Sequence, residues 1–259
     1  HRAGPVLADA PVITRKSRAE IATMRRAGRV VAEVLAIVGE AVRPGVSTAH
    51  LDELAEAHIR RSGATPSFKG YHGYPSSICI SIDREVVHGI PGNRTIRDGQ
   101  VVSVDAGAIV DGWHGDAART FVVGEVPEAV RDLVETTRLA LEAGVAATRA
   151  GNRIWDVSAA VEDVALPRGY GIVRPYVGHG IGTAMHEEPQ VPNYRTKARG
   201  IELAPGICLA IEPMFTLGSA DVETLDDGWT VVTRDGSLAA HWEHTVAVTE
   251  DGPEVLTRP

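Results

Sequence analysis

The sequence predicts an α+β fold built from two similar halves. In each half, apolar residues recur every three or four positions, as in amphipathic helices, and short β-branched runs follow, as in strands. The halves also align: residues 43–45 match residues 149–151 at an offset of 106, and residues 98–105 match residues 205–212 at an offset of 107. Because element order and offset agree, an internal duplication is favoured over coincidence between short glycine-anchored stretches.

Composition restricts the class of protein. The chain has 259 residues, 44% of them apolar and 23% charged, and its formal net charge is −8. It is long enough to bury a large core and too apolar to be disordered, while no apolar run reaches the roughly 20 residues of a membrane span. The negative charge argues against a nucleic-acid binder. Two cysteines, Cys79 and Cys208, form no CxxC motif and no signal peptide is recognisable, which favours a reducing, cytoplasmic location.

The domain organisation follows from the repeat. Residues 1–16 lack periodicity and are expected to form a flexible lead-in. Residues 17–259 are expected to form a single domain. Its two pseudo-repeats would span about 17–125 and 126–259.

Caps and breaks mark the elements of the first half. Ser17 and Glu20 have the spacing of a capping box, so they predict the start of a helix that ends before Pro44. Thr48 can cap a second helix that ends at Gly63. The predicted strands are Ile78–Ile82, Val101–Val104 and Thr120–Val123, with a hairpin turn at Asp111-Gly112.

The second half repeats this plan. Pro127 suits the first position of a third helix, and a fourth helix containing Ile154 is expected to end at Pro167 and Gly169. Strands are then predicted at Ile207–Ile211, Thr230–Thr233 and His244–Val248.

Histidine–glycine pairs are more frequent than chance. Ten histidines and 27 glycines predict about one such pair, whereas the chain has four, at His72, His88, His114 and His179. A glycine beside a histidine allows close approach of backbone or ligand, so these pairs predict a cleft lined by imidazoles. Isolated helical histidines such as His50 and His58 are expected to be structural.

Several acids stand in apolar surroundings. Asp105 and Glu212 follow apolar runs at equivalent positions of the two halves, and a buried carboxylate costs several kcal/mol unless it is paired or binds a metal. Asp116 lies across the predicted hairpin from Asp105, Glu243 could meet Glu212 in the same way, and His179 adds a nitrogen ligand. Carboxylates in excess over imidazole suit Mn(II), Fe(II), Co(II) or Zn(II) at a two-metal site. The alternative is a set of capped turns and surface salt bridges.

Other catalytic motifs are missing from the sequence. The segment from His186 to Pro189 is not HExxH, and the spacing of His241 and His244 does not suit one face of a helix. No serine has a G-x-S-x-G context, no cysteine has an evident base beside it, and residues 178–182 lack the dinucleotide-binding spacing. The sequence therefore favours metal chemistry over nucleophilic or redox catalysis.

Eight short motifs, between about Arg18 and Val255, resemble those of a known family. They are Gly70-Tyr-His-Gly-Tyr-Pro75, Val87-His-Gly-Ile-Pro91, Asp111-Gly-Trp-His-Gly-Asp116, Gly178-His-Gly-Ile-Gly182, His186-Glu-Glu-Pro189, Ile211-Glu-Pro-Met214, Asp227-Gly-Trp-Thr230 and Trp242-Glu-His-Thr245. Each motif alone is weak, but eight in this order are specific. On these motifs the chain resembles the type I methionine aminopeptidases of peptidase family M24, in their short bacterial form.

The resemblance implies the pita-bread (creatinase/aminopeptidase) fold, in which two antiparallel sheets with helices outside enclose a dinuclear metal site. Carried over residue by residue, it implies five metal ligands. Asp116 and Glu243 would bridge two divalent ions, Asp105 would chelate one ion, and His179 with Glu212 would hold the other. The implied ions are Co, Mn, Fe(II), Zn or Ni.

The implied reaction is removal of the initiator methionine from nascent proteins whose second residue is small. A hydroxide shared by the two ions would attack the scissile carbonyl, with Glu212 as general acid/base. His186 would hydrogen-bond the carbonyl oxygen, and His88 would meet the scissile amide nitrogen.

The resemblance also implies a pocket for the methionine side chain. Its walls and rim would be formed by Tyr71, Tyr74, Cys79, Trp229 and His72. Two positions depart from the family: Met185 stands where many relatives have Phe, and Phe68 stands where bacterial relatives often have a smaller residue. Both departures are expected to alter pocket size and to leave the chemistry unchanged.

The implied partners are methionyl peptides and nascent chains, with the ribosome as a further contact, and the implied state is a monomer without nucleic-acid or membrane partners. The basic stretch 15–18 is too short to establish ribosome contact and is expected to be a solvated face. Two alternatives stay open. An X-prolyl peptidase of the same fold would usually carry an extra N-terminal domain and lack the aromatic pocket, and a non-catalytic peptide-binding module would have no need of five intact ligands.

Overall fold

The computed structural model describes residues 12–259 and has four α-helices in that range. They are α1 (Arg18–Ala41), α2 (Thr48–Arg61), α3 (Glu128–Ala147) and α4 (Ile154–Ala165). All four were predicted, with the capping box of Ser17 and Glu20 present at α1. Two caps differ by one residue, since Ser47 rather than Thr48 caps α2 and Pro127 precedes α3 as its N-cap. Among the described residues, no helix is long and apolar enough to cross a membrane.

The strands of residues 12–259 form antiparallel sheets. In chain order they are β1 (Thr65–Pro66), β2 (Ile78–Ile82), β3 (Glu85–Val87), β4 (Val101–Val110), β5 (Trp113–Val122), β6 (Gly171–Ile172), β7 (Gly178–Gly180), β8 (Glu187–Val191), β9 (Cys208–Ile211), β10 (Met214–Thr216), β11 (Val222–Thr224), β12 (Val231–Thr233), β13 (Ala239–His241), β14 (His244–Thr249) and β15 (Gly252–Val255). In the first larger sheet β4 pairs with β1, β2 and β5, and the second has the order β15-β14-β9-β7-β8. Two three-stranded sheets, β13-β10-β6 and β11-β12-β3, complete the structure.

Each larger sheet packs against the two helices of its own half. The apolar faces of α1 and α2 bury β2, β4 and β5, whereas α3 and α4 bury β9 and β14. The sheets meet where Ala118 and Glu243 exchange backbone hydrogen bonds, of 3.3 Å from the Ala118 N–H and 3.0 Å from the Glu243 N–H. This junction brings acids from both halves to the centre of the molecule. The division into pseudo-repeats 17–125 and 126–259 stays a prediction.

The hairpin of β4 and β5 fixes two of the acids. Its turn has positive φ at both central residues, 48° at Asp111 and 82° at Gly112, as a type I′ turn requires. Asp116 lies opposite Gly107 and Asp105 lies opposite Ala118, so the two acids are diagonal neighbours on one face of the sheet. The predicted strand Val101–Val104, which Asp105 would follow, is too short, because β4 continues through Asp105 to Val110.

The predicted lead-in is only partly within the described residues, since residues 1–11 lie outside them. Residues 15 and 16 are held by the backbone before β9: Lys16 N–H donates to Gly206 O at 2.7 Å, and Arg15 Nε donates to Pro205 O at 2.9 Å. The Lys16 side chain is only 3% exposed and pairs with Glu187. The expectation of a solvated basic face is therefore wrong at Lys16, because distant parts of the chain cover it.

Candidate metal centre and substrate pocket

The predicted metal ligands meet at the junction of the two larger sheets. Asp105 lies in β4, Asp116 in β5 and His179 in β7, while Glu212 directly follows β9 and Glu243 directly precedes β14. Two groups of three potential ligands share Glu243: one is Asp116, His179 and Glu243, and the other is Glu212, His241 and Glu243. The ligand atoms in each group lie within 4.8 Å of one another. Asp105 belongs to neither group but lines the same cavity.

Backbone contacts aim these side chains. The Nδ1 of His179 lies 2.8 Å from Gly180 O, and since a carbonyl only accepts, Nδ1 carries the proton and Nε2 keeps its lone pair in the neutral ring. That Nε2 lies 3.5 Å from Glu212 Oε1 and 3.9 Å from Asp116 Oδ2. Asp116 is fixed by Thr245, whose hydroxyl accepts from its N–H at 3.0 Å and donates to its carbonyl at 2.7 Å.

The electrostatics of the cluster favour a cation. Burial is the largest cause that raises the pKa of each of the four carboxyl groups, to about 7 for Asp116 and well above the usual range for Asp105, Glu212 and Glu243. Repulsion from the charge of Asp116 adds to this effect at the other three. Burial also lowers the pKa of His179 to about 3, so its imidazole is neutral at neutral pH. Four acids and a neutral imidazole are a typical donor set for divalent transition metals.

Orphaned polar atoms test this assignment. Among residues 12–259, no hydrogen-bond partner reaches the buried atoms Asp105 Oδ1, Asp116 Oδ1, Glu243 Oε1 or His241 Nε2. A buried polar atom without a partner costs about 1–3 kcal/mol, and more if it is charged. Divalent ions between these atoms would remove that cost, so the residues fit a metal centre.

His241 is a potential metal ligand that the sequence analysis missed. Its Nε2 lies 3.6 Å from Glu212 Oε2 and 4.0 Å from Glu243 Oε2, and burial lowers its pKa to about 3. The segment is predicted to be a strand, and His241 does end strand β13, but the prediction did not assign its side chain to the metal site. The available signal was strand alternation, because residues two apart, such as His241 and Glu243, share a face.

Three of the four His-Gly histidines, His72, His88 and His179, line the central cavity together with His186. The hydroxyl of Tyr71 lies 2.8 Å from His186 Nδ1. The rings of His179 and His186 lie 4.3 Å apart, and burial lowers the pKa of His186. Burial also lowers the pKa of His88 to about 4. The prediction of a cleft lined by imidazoles is thus met at these positions.

The fourth member of that set, His114, is buried and is not part of the cavity lining. Its ring Nδ1 lies 2.8 Å from the hydroxyl of Ser67, and its backbone N–H donates to Gly182 O at 2.9 Å. His50 and His58 lie on α2, as expected, and His58 Nε2 lies 2.8 Å from Glu33.

An apolar pocket adjoins the acids in a cavity of about 310 Å³. Its buried wall is Phe68, Tyr74, Cys79 and Met185, with Tyr71, Ile90 and Trp229 packed against it. The hydroxyl of Tyr74 donates to Ile78 O at 3.0 Å, and its ring meets Trp229 edge to face at 5.0 Å. The structure thus brings together all the predicted pocket residues. The lining residues that the sequence analysis did not name are Val87, Tyr176 and Val177.

An acid-rich metal centre in an antiparallel α+β fold agrees with a comparison to known families. The sequence model of metallopeptidase family M24 matches residues 22–250, which defines the class of protein as a metallopeptidase. The chain is 53% identical over 253 residues to methionine aminopeptidase 1 of Mycobacterium tuberculosis, covering 95% of each chain. It is 51% identical over 243 residues to the methionine aminopeptidase of Clostridium acetobutylicum, covering 93% of this chain and 97% of that one.

Solved structures lead to the same family. The crystal structure of methionine aminopeptidase from Thermotoga maritima superposes with a TM-score of 0.94 at 42% identity, covering 96% of this chain and all of that one. The chain therefore belongs to the bacterial type I methionine aminopeptidases of metallopeptidase family M24. Its fold is the pita-bread fold of that family, and it is an enzyme of the hydrolase class. The family and the ligand cluster together support the use of divalent metal.

Proposed function

We propose that the chain removes the initiator methionine from nascent proteins whose second residue is small. The observation that carries this proposal is the contact between two environments in one cavity: an apolar, aromatic pocket and a cluster of acids and imidazoles. The thioether of methionine is flexible and forms favourable contacts with aromatic rings, which Tyr71, Tyr74 and Trp229 supply. The acids beside the pocket suit the free α-amine, which restricts cleavage to a chain end.

The proposed ligands of two divalent ions are Asp105, Asp116, His179, Glu212 and Glu243. When bound, such ions would polarise the scissile carbonyl and activate water. Three residues would act on the reacting atoms. Glu212, on the cavity wall, would take the proton of the attacking water and return it to the leaving amine. His186 would donate a hydrogen bond to the carbonyl oxygen as negative charge develops, and His88 would contact the scissile amide.

The specificity of the pocket is proposed to depend on its two departures from the family. Met185 is buried in the wall beside His186, and Phe68 closes the wall from the segment before Tyr71. Both side chains belong to the buried cluster that contains Cys79. His72, on a backbone with a φ of 47°, would form the rim.

Several wider properties belong to this proposal. The substrates would be methionyl peptides and nascent chains in the cytoplasm, with the ribosome as a further contact. The working enzyme would be a monomer with two ions chosen from Co, Mn, Fe(II), Zn and Ni. The chemical type of the ligands does not discriminate among these ions, because carboxylates and imidazoles bind all of them.

Digestion of Met-Ala-Ser followed by mass spectrometry tests the proposal. After chelation we expect no product, and after separate addition of Mn(II), Fe(II) or Co(II) we expect free methionine. Met-Lys-Ser and X-Pro peptides should be poor substrates. Rapid X-Pro cleavage would instead indicate a prolyl peptidase, and peptide binding without turnover under every metal would indicate a binding module. Equal cleavage of Met and Leu termini would refute the pocket assignment.

A further inference from the structure

A buried ion pair joins the segment that precedes α1 to the loop that carries His186. Lys16 Nζ lies 2.6 Å from Glu187 Oε2, with side-chain exposures of 3% and 12%. The hydroxyl of Thr14 donates to the same carboxylate oxygen at 2.7 Å and accepts from Lys16 Nζ at 2.6 Å. The side chains of Thr14, Lys16 and Glu187 therefore form a closed set of contacts, which we name the N-terminal clamp.

The Glu187 carboxylate of the clamp also contacts the turn formed by residues 182–185. The second oxygen of Glu187 accepts from Ala184 N–H at 3.3 Å, which ties the side chain to the turn before His186. Gly182, at the start of that turn, has no room for a side chain, since a Cβ there would lie 2.5 Å from Glu187 Oε1 and 2.6 Å from Lys16 Cε. On its other side, the turn is held by the backbone N–H of His114, which donates to Gly182 O at 2.9 Å.

The position of His186 follows from this arrangement. His186 directly precedes strand β8, which begins at Glu187. The His186 ring lines the cavity, whereas Glu187 is not part of the cavity lining and pairs with Lys16, so holding Glu187 restrains the backbone next to His186. There the His186 ring contacts Tyr71, through its hydroxyl at 2.8 Å and its ring at 5.4 Å, and lies 4.3 Å from the His179 ring. A displacement of about 1 Å at a group that acts on the substrate can lower the rate about 100-fold.

We propose that Lys16 is a positioning residue, which orients His186 for hydrogen bonding to the substrate carbonyl by fixing the adjacent residue Glu187. This inference rests on the proposed function of His186. It makes the segment 14–16 part of the catalytic apparatus, although it lies about 170 residues from His186 along the chain and outside the cavity. Loss of the Lys16 charge would leave Glu187 buried without its cation, so its carboxylate would turn toward water and release Ala184.

The test compares four variants with wild type on Met-Ala-Ser in excess Co(II). We expect Lys16→Met to lower kcat about 10- to 100-fold with KM changed little, because the methionine pocket is not touched. Lys16→Arg should restore most of kcat. Glu187→Gln keeps the shape, but its single amide oxygen cannot accept from both Ala184 and Lys16, so kcat should fall in this variant too. It serves as the test if Lys16→Met fails to fold. The matched control is Arg258→Met, which removes an exposed ion pair of 2.7 Å with Glu142 and should leave kcat unchanged.

A second readout separates positioning from general destabilisation. In metal-loaded protein, hydrogen exchange at the Ala184 amide should accelerate in Lys16→Met while exchange in α3 stays as in wild type. Unchanged kcat in the folded variants, or faster exchange throughout the molecule, would overturn the proposal. Wild-type protein without any methionyl-peptidase activity would overturn the proposed function and this inference together, whereas an active wild type with equally active Lys16→Met would overturn this inference alone.

Discussion

At the scale of single residues, Glu212 has two proposed tasks, since it would bind an ion and move a proton. Glu212→Gln keeps the shape of the side chain but removes its basicity and charge. We expect a folded protein with kcat lowered about 10²–10⁴-fold, the usual contribution of general acid/base catalysis, measured by methionine release from Met-Ala-Ser. Glu250→Gln, at a 77% exposed side chain, is the control and should retain full activity. Near wild-type turnover in Glu212→Gln would contradict the proposed mechanism.

The sequence could predict the acids of the site but not all of its histidines. Asp105 and Glu212 stand out locally because each interrupts an apolar run, and burial of a carboxylate requires a partner. His241 does not interrupt an apolar run, and its local signal is limited to the strand alternation that it shares with Glu243. Its position depends on two hydrogen bonds between its backbone and the hydroxyl of Thr120. Thr120 lies in a strand about 120 residues earlier in the chain. Tyr176 is similar, because only the fold brings its ring edge to face with His88 at 5.5 Å.

At the scale of elements, α1 lies unusually close to its neighbours at Gly28. A Cβ at this position would overlap the backbone carbonyl of Leu256, and Gly115 of β5 also packs directly against Gly28. We expect Gly28→Ala to destabilise the protein by about 1–3 kcal/mol, since the obstacle is backbone and α1 must shift. The measurement is the urea midpoint at constant m-value.

Gly39 on the same helix provides the matched control. A Cβ there would lie 2.5 Å from the ring of Phe121, which is a side chain that can move. Both substitutions gain the same helix propensity of about 1 kcal/mol, so the difference between them isolates the packing. We expect Gly39→Ala to be near neutral. A Gly28→Ala protein as stable as Gly39→Ala would contradict direct packing of α1 on the chain at Leu256.

Elements with local signals were predictable, whereas those defined by pairing were not. The helices have periodic apolar faces and caps, and α1 was predicted to the residue at its start. By contrast, β7 is three residues of Gly-His-Gly, which have low strand propensity, and it exists because β9 and β8 pair with it on both sides. Strand β8 contains Pro189 and was also missed, although it carries Glu187 at its start.

At the scale of the whole molecule, the acid cluster should make stability depend on pH and metal together. The pKa of Asp116 rises to about 7 in the fold, and burial also raises the pKa values of Asp105, Glu212 and Glu243 well above their ordinary values near 4. A raised carboxyl pKa means that the folded chain binds more protons than the unfolded chain. The stability that such a carboxyl group contributes at low pH is therefore lost as pH rises through its pKa in the folded chain. The buried histidines have lowered pKa values and act in the opposite direction, but only below about pH 6.5, where the unfolded chain gains protons.

Between about pH 7.0 and 8.0 the carboxyl groups therefore dominate this dependence, because the buried cysteines, whose pKa values burial also raises, affect stability only as pH approaches their ordinary value near 8.5. In EDTA we expect the Tm to fall as pH rises across this range. With saturating Co(II) or Mn(II) the fall should vanish or reverse, because metal binding keeps the acids ionised and is favoured by deprotonation. Asp116→Asn should reduce the slope in EDTA, while Asp111→Asn, at a 69% exposed acid of the hairpin turn, should leave it unchanged. Parallel pH profiles with and without metal would show that these four acids do not act as one buried cation site, and the metal centre would have to be assigned elsewhere.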